Sequence, residues 1–479
     1  MTIRNTKIVA TLGPASSSPE KIKQLINAGM DVARINFSHG GRTAHASLIK
    51  LVRSCARMLK KPVGILQDLS GPKLRIDSVV SEPMALTSGS SLIITSKKIA
   101  GNAQKLSISS LPYLFNVIRK NERIILNDGA VTCTVVKVKK KEIYCRVAAG
   151  GEIGSHKGVS LPDTSLHKLP SLTAKDMADL AFGLKHDVDF IALSFVRSSD
   201  DIRKLKSLIR KANKNIPVIA KIEKHEALQN LKTIIQESDG VMVARGDLGV
   251  ETDIETIALK QKEIIHLSNR CGKVVITATQ MLESMITRST PTRAEVSDIT
   301  NAIFDGTDAV MLSGETAVGA YPVQAVSMME KIATKTEDSM NFEQFLMAEP
   351  IESSESDAVA HAACVLAREI KADAIVVTTL AGSTPRMISH YRPLQPIITV
   401  TPNENMLARL NLIWGIYPFL IPFTKNTDQL ISYATQAALR SGIVKKGSKI
   451  VICSGVTMGK SGSTNLIITK LGSDLDMRQ

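Results

Sequence analysis

Short apolar runs, each followed by an amphipathic segment, recur through the first 340 residues of the chain. They are apolar at consecutive rather than alternate positions, which is typical of parallel strands covered on both faces. Helix-start signals follow them: Ser18, Pro19 and Glu20 give an N-cap, a first-turn proline and an early acid, and Thr292 and Glu295 have capping-box spacing. Eight runs begin at Thr6, Asp31, Val63, Asp189, Pro217, Gly240, Val274 and Ala309. Eight strand–helix units predict an α/β fold of the (β/α)8 TIM-barrel class.

The spacing is interrupted once, between the third predicted strand and the fourth. Residues 76–170 contain short runs that alternate between apolar and polar positions and show little helical period, which indicates a small inserted β domain. The flanking segments, 1–75 and 171–340, together hold about 245 residues, close to the roughly 250 of a typical barrel. We therefore predict one barrel that is interrupted by one β insertion.

A second α/β pattern occupies residues 341–479. It begins near an acidic, serine-rich stretch from Ala348 to Asp357 and is about one domain long. We predict a separate C-terminal α/β domain. Its strand candidates begin at Ala374, Pro396, Tyr417 and Lys449.

Composition narrows the classes of function. The net charge of +15 favours anionic partners such as phosphorylated metabolites or nucleotides. Aromatic residues make up only 4% of the chain, which leaves few stacking surfaces for single-stranded nucleic acid, so we expect no nucleic-acid partner. No apolar run has the length of a membrane span, the first residues do not resemble a signal peptide, and the six cysteines are scattered. We expect a cytoplasmic protein without a membrane partner, a disulfide framework or a structural zinc.

Polar residues stand at the carboxyl ends of the predicted barrel strands, where the working residues of this fold lie. Each has an ordinary explanation alone, because a carboxylate can cap a helix, a lysine can extend to solvent and a hydroxyl can bond to backbone. Their convergence on one rim favours a common site. They are Arg34, Asn36, Ser38, Asp68, Lys221, Glu223, Arg245, Asp247, Thr279, Gln280, Ser313 and Glu315.

Three of these residues indicate a chemistry. Glu223 and Asp247 follow adjacent strands and offer hard oxygen ligands suited to Mg²⁺ or Mn²⁺. Lys221 points to the same side of its strand as Glu223. An ammonium group beside a metal ion suits phosphoryl transfer, in which catalysis is mostly positioning and charge stabilisation. The turn at Gly246 and Gly249 either binds an anion through its amides or is a plain tight turn.

Nine motifs resemble those of the pyruvate kinase family and span nearly the whole chain. The resemblance implies a barrel with a small inserted β-barrel lid and a C-terminal α/β regulatory domain. It also implies transfer of the phosphoryl group of phosphoenolpyruvate to ADP, giving pyruvate and ATP in the last step of glycolysis. The motifs are TKIVATLGPAS from Thr6, VARINFSHG from Val32, DLSGPKLR from Asp68, KGVSLP from Lys157, IAKIE from Ile219, MVARGDLGVE from Met242, ITATQMLESM from Ile276, TPTRAE from Thr290 and MLSGET from Met311.

The resemblance further implies roles for single residues. Lys221 would stabilise the phosphoryl group in transfer, and Glu223 and Asp247 would hold Mg²⁺ or Mn²⁺. The amides of Gly246 and Asp247 and the hydroxyl of Thr279 would seat the carboxylate of the substrate. The other implied positions are Arg34 and Ser313 for phosphoenolpyruvate and Thr11, Pro14, Asn36, Arg75 and Lys157 for the nucleotide.

Many family members need K⁺, which is held by residues matching Asn36, Ser38, Asp68 and the backbone carbonyl of Leu69. This chain has Leu69 and Lys73 where those members carry Thr and Glu. The ammonium of Lys73 could supply the charge that K⁺ otherwise brings. We therefore expect activity that does not require K⁺.

The resemblance also implies a homotetramer and a sugar-phosphate or nucleotide effector in the C-terminal domain. The effector loop would contain Thr379, Gly382, Ser383, Thr384 and Lys460.

Two other classes of function stay open at this point. One is a metal-dependent lyase or aldolase acting on a pyruvate enolate, which needs the Glu223–Asp247 pair but not Lys221. The other is a catalytically silent anion- or RNA-binding protein.

Overall fold

The computed structural model describes residues 3–109, 114–166, 169–347, 354–455 and 464–472. Its strands are β1 (Lys7–Leu12), β2 (Val32–Asn36), β3 (Gly64–Leu69), β4 (Leu74–Arg75), β5 (Met84–Leu86), β6 (Ser91–Thr95), β7 (Lys105–Ser107), β8 (Arg123–Leu126), β9 (Val131–Lys139), β10 (Glu142–Ala149), β11 (Gly151–Ile153), β12 (Gly158–Ser160), β13 (Phe190–Leu193), β14 (Val218–Ile222), β15 (Gly240–Ala244), β16 (Val274–Ala278), β17 (Ala309–Leu312), β18 (Ala374–Thr378), β19 (Ile397–Thr401), β20 (Ile416–Leu420), β21 (Gly447–Ser454) and β22 (Leu466–Gly472).

The α-helices are α1 (Pro19–Ala28), α2 (Arg42–Leu59), α3 (Leu114–Val117), α4 (Ala174–Lys185), α5 (Ser199–Lys211), α6 (His225–Gln229), α7 (Leu231–Glu237), α8 (Arg245–Glu251), α9 (Ile257–Arg270), α10 (Arg293–Phe304), α11 (Gly314–Ala317), α12 (Pro322–Glu337), α13 (Glu343–Leu346), α14 (Glu355–Glu369), α15 (Ser383–His390), α16 (Glu404–Leu410) and α17 (Thr427–Arg440). Short 3₁₀ turns cover Pro14–Ser16, Ile254–Thr256 and Glu283–Ile286.

Eight parallel strands close into a barrel in the order β1-β17-β16-β15-β14-β13-β3-β2. Strands such as β1, β3 and β14 are buried at every position, because side chains fill the barrel on one face and helices cover the other. This is the reason for their unbroken apolar runs. The predicted barrel fold is confirmed.

The helix-start signals act as the sequence predicts. The side chain of Ser18 accepts a hydrogen bond from the Lys21 amide at 3.2 Å, and Pro19 is the first residue of α1. At α10, Thr292 and Glu295 form a reciprocal capping box. These caps fix where the helices start and therefore how the preceding loops leave the barrel rim.

The chain between β3 and β13 forms a separate layer of strands with its own hydrophobic core. Seven of these strands make one sheet in the order β4-β12-β8-β9-β10-β6-β7, and β5 pairs with β11 in a second, two-stranded sheet. The expectation of an inserted β domain is met. The resemblance implied a small β-barrel for this domain. In the residues described, its main sheet has two free edges, β4 and β7, and is therefore open.

The C-terminal part contains a five-stranded sheet in the order β20-β19-β18-β21-β22. Its first four strands are parallel, and β22 runs antiparallel to β21. This sheet contacts the amino end of the barrel, where Lys7 Nζ donates to the Ile416 carbonyl at 2.6 Å and Arg392 pairs with Asp308 at 2.9 Å. The predicted C-terminal α/β domain is confirmed as a fold.

Among the residues described, none of the helices combines the length and the apolar character that crossing a membrane requires.

Candidate active site

The ammonium group of Lys221 is the centre of a buried cluster at the carboxyl end of the barrel. Its Nζ lies 2.8 Å from Glu223 Oε1, 3.3 Å from Asp68 Oδ1 and 2.8 Å from Ser194 Oγ. Burial by itself lowers the pKa of Lys221, but the carboxylates of Asp68 and Glu223 outweigh it and raise that pKa well above its ordinary value. The lysine is therefore a fixed positive charge rather than a proton donor.

Glu223 and Asp247 are close enough for their charges to interact. Burial raises the pKa of Glu223, Lys221 lowers it, and the negative charge of Asp247 raises it further. Glu223 is fully buried; its Oε2 accepts from the Phe195 amide at 2.7 Å, and its Oε1 is paired with the Lys221 ammonium at 2.8 Å. Two carboxylates whose charges interact, one of them buried, offer the hard oxygen ligands that a divalent cation prefers.

Arg34 lies on the other side of the cluster. Its guanidinium donates from Nε to Asp68 Oδ2 at 2.8 Å and from NH1 to Thr11 Oγ1 at 3.0 Å. Burial by itself raises the pKa of Asp68, but Lys221 and Arg34 hold that pKa below its ordinary value. Asp68 is thus an ionised anchor that fixes two cations at the rim.

Thr279 has a strained backbone for a β-branched residue, with φ of 69°. Its hydroxyl donates to the Ala278 carbonyl at 2.6 Å and accepts from the Gly246 amide at 2.9 Å. Arg245 donates to the Thr279 carbonyl at 2.6 Å and is itself held by Asp298 at 2.6 Å. The structure thus brings Thr279 and Gly246 together, with the Gly246 amide engaged by the threonine.

Ser313 lies directly after β17 and is part-buried. Its amide donates to Glu315 Oε2 at 2.7 Å, and the other oxygen of that carboxylate accepts from the Leu282 amide at 3.1 Å. Burial raises the pKa of Glu315. Glu315 therefore ties the ends of two neighbouring strand–helix units to each other.

The expected nucleotide positions are spread along the rim and the insertion. Thr11 is buried and donates to the Leu312 carbonyl at 2.8 Å. Pro14 is exposed in the turn that follows β1, and Asn36 ends β2, where it accepts from the Ser38 amide at 3.0 Å. The exposed Arg75 and Lys157 lie together in the inserted domain: Arg75 is in β4, and its pairing partner Gly158 follows Lys157.

Lys73 is paired with two carboxylates that are not among the groups expected to bind K⁺. Its Nζ is 3.0 Å from Asp247 Oδ1 and 3.6 Å from Asp128 Oδ1 of the inserted domain. Burial by itself lowers the pKa of Lys73, but Asp247 and Asp128 raise it above its ordinary value.

Three of the four oxygens expected to bind K⁺, those of Asn36, Asp68 and Leu69, already have partners within the protein. The Leu69 carbonyl accepts from Ser194 Oγ at 2.7 Å, and Asp68 is paired with Lys221 and Arg34. Ser38 is exposed, and its amide is bound by Asn36. Protein groups therefore bond three of the four expected K⁺ ligands.

The expected effector loop begins the helix α15. Gly382 has φ of 84°, a conformation that suits glycine, and its amide donates to Thr379 Oγ1 at 2.8 Å. Ser383 is the first residue of α15, and the Thr384 hydroxyl bonds to that of Thr464, next to β22. Lys460 lies outside the described residues.

Sequence reasoning missed Ser194 and Phe195. Ser194 contacts Lys221, Asp68 and the Leu69 carbonyl, and the amide of Phe195, whose φ is 54°, holds Glu223. Ser194 directly follows β13, so the strand-end pattern that selected the other residues could have found it.

Two models of known families match the chain: pyruvate kinase, barrel domain, over residues 3–326, and pyruvate kinase, alpha/beta domain, over residues 357–468. The pyruvate kinase of Geobacillus stearothermophilus is 44% identical over 98% of this chain and 81% of its own length. That of Clostridium acetobutylicum is 42% identical over 97% of this chain and 99% of its own length. Pyruvate kinase 2 of Synechocystis is 44% identical over 97% of this chain and 78% of its own length. The chain therefore belongs to the pyruvate kinase family.

Proposed function

We propose that the rim around Lys221 transfers the phosphoryl group of phosphoenolpyruvate to ADP. The observation that carries the proposal is a buried ammonium group held between two carboxylates beside a second cation, Arg34. The bond between phosphorus and the enolate oxygen breaks, a bond to the terminal oxygen of ADP forms, and the pyruvate enolate takes up a proton from solvent in the region of Thr279. Negative charge on the moving group is what the fixed cations Lys221 and Arg34 stabilise.

In this mechanism the protein groups position the substrate and neutralise the charge on its phosphoryl group. Lys221 is fixed by Asp68, Glu223 and Ser194, so it need not reorganise when charge develops on the phosphoryl oxygens. Arg34 holds the phosphate of the substrate from the neighbouring strand.

The carboxylate of the substrate is proposed to lie against Thr279 and the amides of Gly246 and Asp247, with Ser313 on the same rim. Binding there requires the Gly246 amide to exchange its bond to the threonine hydroxyl for one to the ligand.

Glu223 and Asp247 are the residues proposed to hold Mg²⁺ or Mn²⁺. Such an ion neutralises phosphate charge and orients the two substrates when it is bound. The fit rests on the interaction between the charges of the two carboxylates and on the part-exposed Asp247, whose side chain is 34% accessible.

The nucleotide is proposed to bind between the rim and the inserted domain. Thr11, Pro14 and Asn36 would contact it from the barrel, and Arg75 and Lys157 from the insertion. Closing the insertion over the rim as a lid would exclude water, which otherwise competes with ADP as phosphoryl acceptor.

Lys73 is proposed to make the activity independent of K⁺. Its ammonium supplies a permanent positive charge 3.0 Å from Asp247, inside the same rim. The test is the Lys73→Glu variant, assayed for pyruvate formation with and without K⁺. We expect it to gain a requirement for K⁺, and equal activity without K⁺ would refute the assignment.

A homotetramer, a cytoplasmic location and an anionic effector are also proposed. The contacts of Gly382 and Thr384 with their neighbours give the effector loop a defined shape. Sedimentation analysis and activation by sugar phosphates or nucleotides test the assembly and the effector.

Product counting tests the proposed function against its alternatives. A kinase forms one ATP for each pyruvate released from phosphoenolpyruvate and ADP. A lyase or aldolase would act on pyruvate-type substrates without forming ATP, and a binding protein would form neither product.

A further inference from the structure

Three side chains of metal-ligating type meet beside the rim but outside the proposed catalytic set. They are His225, Glu226 and Glu251, and one ligand atom from each lies within 4.8 Å of the others. The first two begin α6, directly after β14, and the third ends α8. Two short helices that follow the neighbouring strands β14 and β15 therefore bring the cluster together.

The distances in the cluster match coordination to a metal ion better than hydrogen bonding. His225 Nδ1 lies 3.4 Å from Glu226 Oε2 and 3.4 Å from Glu251 Oε2. Most N–H···O bonds measure about 2.7–3.2 Å, so the hydrogen bond between His225 Nδ1 and Glu251 Oε2 is a long one. Ligands at about 2.1 Å from a tetrahedral Zn²⁺ are separated by about 3.4 Å.

Glu226 provides an independent sign of a missing partner. The residue is only 8% exposed, and its Oε2 has no hydrogen-bond partner. Its other oxygen lies 3.4 Å from the Leu166 amide, in the chain that returns from the insertion to the barrel. A buried carboxylate oxygen without a donor is costly, and a cation would remove that cost.

Glu251 divides its two oxygens between two neighbours. Lys224 Nζ holds Oε1 at 2.7 Å, which leaves Oε2 facing His225. Burial by itself raises the pKa of Glu251, but His225 and Lys224 hold it below its ordinary value, so the carboxylate is ionised. With one charge balanced by Lys224, the two glutamates leave a net negative charge for a cation.

The cluster is also accessible. The side chain of His225 is 22% exposed, while those of Glu226 and Glu251 are 10% and 3% exposed. An ion can enter past the imidazole, and water can complete its coordination.

We propose that His225, Glu226 and Glu251 bind a divalent transition-metal ion of the Zn²⁺ class, at a site separate from Glu223 and Asp247. One nitrogen and two oxygen ligands suit Zn²⁺ or Co²⁺ better than Mg²⁺, which prefers oxygen ligands and retains water. The bound ion links α6 to α8 at the base of the insertion. The proposal does not depend on phosphoryl transfer.

The test measures binding of Zn²⁺ to the whole chain in excess Mg²⁺, which occupies hard oxygen sites. We expect His225→Gln to bind one Zn²⁺ fewer per chain than the unaltered protein, or to bind it at least about ten-fold more weakly. The matched control, His266→Gln, removes an exposed histidine of α9 and should bind as the unaltered protein does.

Co²⁺ provides a second readout. The visible absorption of four-coordinate Co²⁺ should be present in the unaltered protein and lost in His225→Gln. Glu226→Gln should behave in the same way and replaces His225→Gln if that variant does not fold. Equal Zn²⁺ stoichiometry and affinity in all variants, or no Zn²⁺ binding at all, would overturn the proposal and leave the cluster as a histidine that only contacts two glutamates.

Discussion

Replacing Lys221 with Met separates the catalytic contribution of its charge from its contribution to stability. The substitution keeps the length of the side chain but removes the ammonium group that lies 2.8 Å from Glu223 and 3.3 Å from Asp68. Asp68 keeps Arg34 at 2.7 Å, whereas Glu223 Oε1 has no other partner. Breaking one side of a buried ion pair costs about 3–5 kcal/mol of folding stability.

The catalytic loss should be larger than a general weakening of the fold explains. A charge fixed on the transferring group is worth roughly a thousand-fold in kcat, which is about 4 kcal/mol of activation free energy. We expect kcat to fall by about that factor, with KM for phosphoenolpyruvate changed only a few-fold. Steady-state kinetics with Mg²⁺ and ADP in excess measure both quantities.

Lys224→Met is the matched control. Lys224 is also buried and pairs with Glu251 at 2.7 Å, but it is not part of the catalytic set. The control should lose similar stability in thermal unfolding and keep its kcat within about three-fold. The reasoning is refuted if folded Lys221→Met keeps kcat within about ten-fold, or if Lys224→Met loses as much.

Three further predictions follow from single contacts. Thr279→Val removes the hydroxyl that accepts from the Gly246 amide at 2.9 Å. The kcat/KM for phosphoenolpyruvate should fall about 100-fold in this variant, and Thr279→Ser should retain most of the activity. Equal activity of the Val and Ser variants would contradict this role. Burial lowers the pKa of Lys7 to about 8. Between about pH 8 and pH 10 the unfolded chain therefore holds more protons than the folded chain, and the free energy of unfolding should rise with pH by up to about 3 kcal/mol. Denaturant unfolding should show this rise in the unaltered protein and not in Lys7→Met. Gly183→Ala would place the new Cβ 1.9 Å from Gln67 Oε1, so calorimetry should show a loss of about 1–3 kcal/mol in folding stability. Gly41→Ala, where nothing lies within 4 Å of the new Cβ, should have a smaller effect. Equal losses in the two variants would argue against the clash.

The barrel could be predicted because its strands are buried on both faces. All eight predicted runs became strands, and β15, β16 and β17 begin at the predicted residue. Short strands such as β4 and β12, of two and three residues, have no comparable signal, because pairing with distant strands rather than local sequence stabilises them. The antiparallel β22 was missed for a related reason, since its place at the sheet edge depends on β21.

The candidate site was predictable as far as it lies at strand ends. Lys221, Glu223, Asp68 and Arg34 were placed on one rim by the barrel pattern, and they contact one another as a group. The partner of Lys73 could not be predicted, because Asp247 lies 174 positions away and the contact depends on how the chain leaves β3.

Release of pyruvate from phosphoenolpyruvate, ADP and Mg²⁺ in K⁺-free buffer, repeated with K⁺ added, tests the account most directly. We predict full turnover in both buffers, with Lys73 as the resident cation near Asp247. Turnover only with K⁺ would keep the phosphoryl-transfer site and contradict the role of Lys73. No turnover in either buffer by folded protein would contradict the central claim that the Lys221 cluster transfers a phosphoryl group.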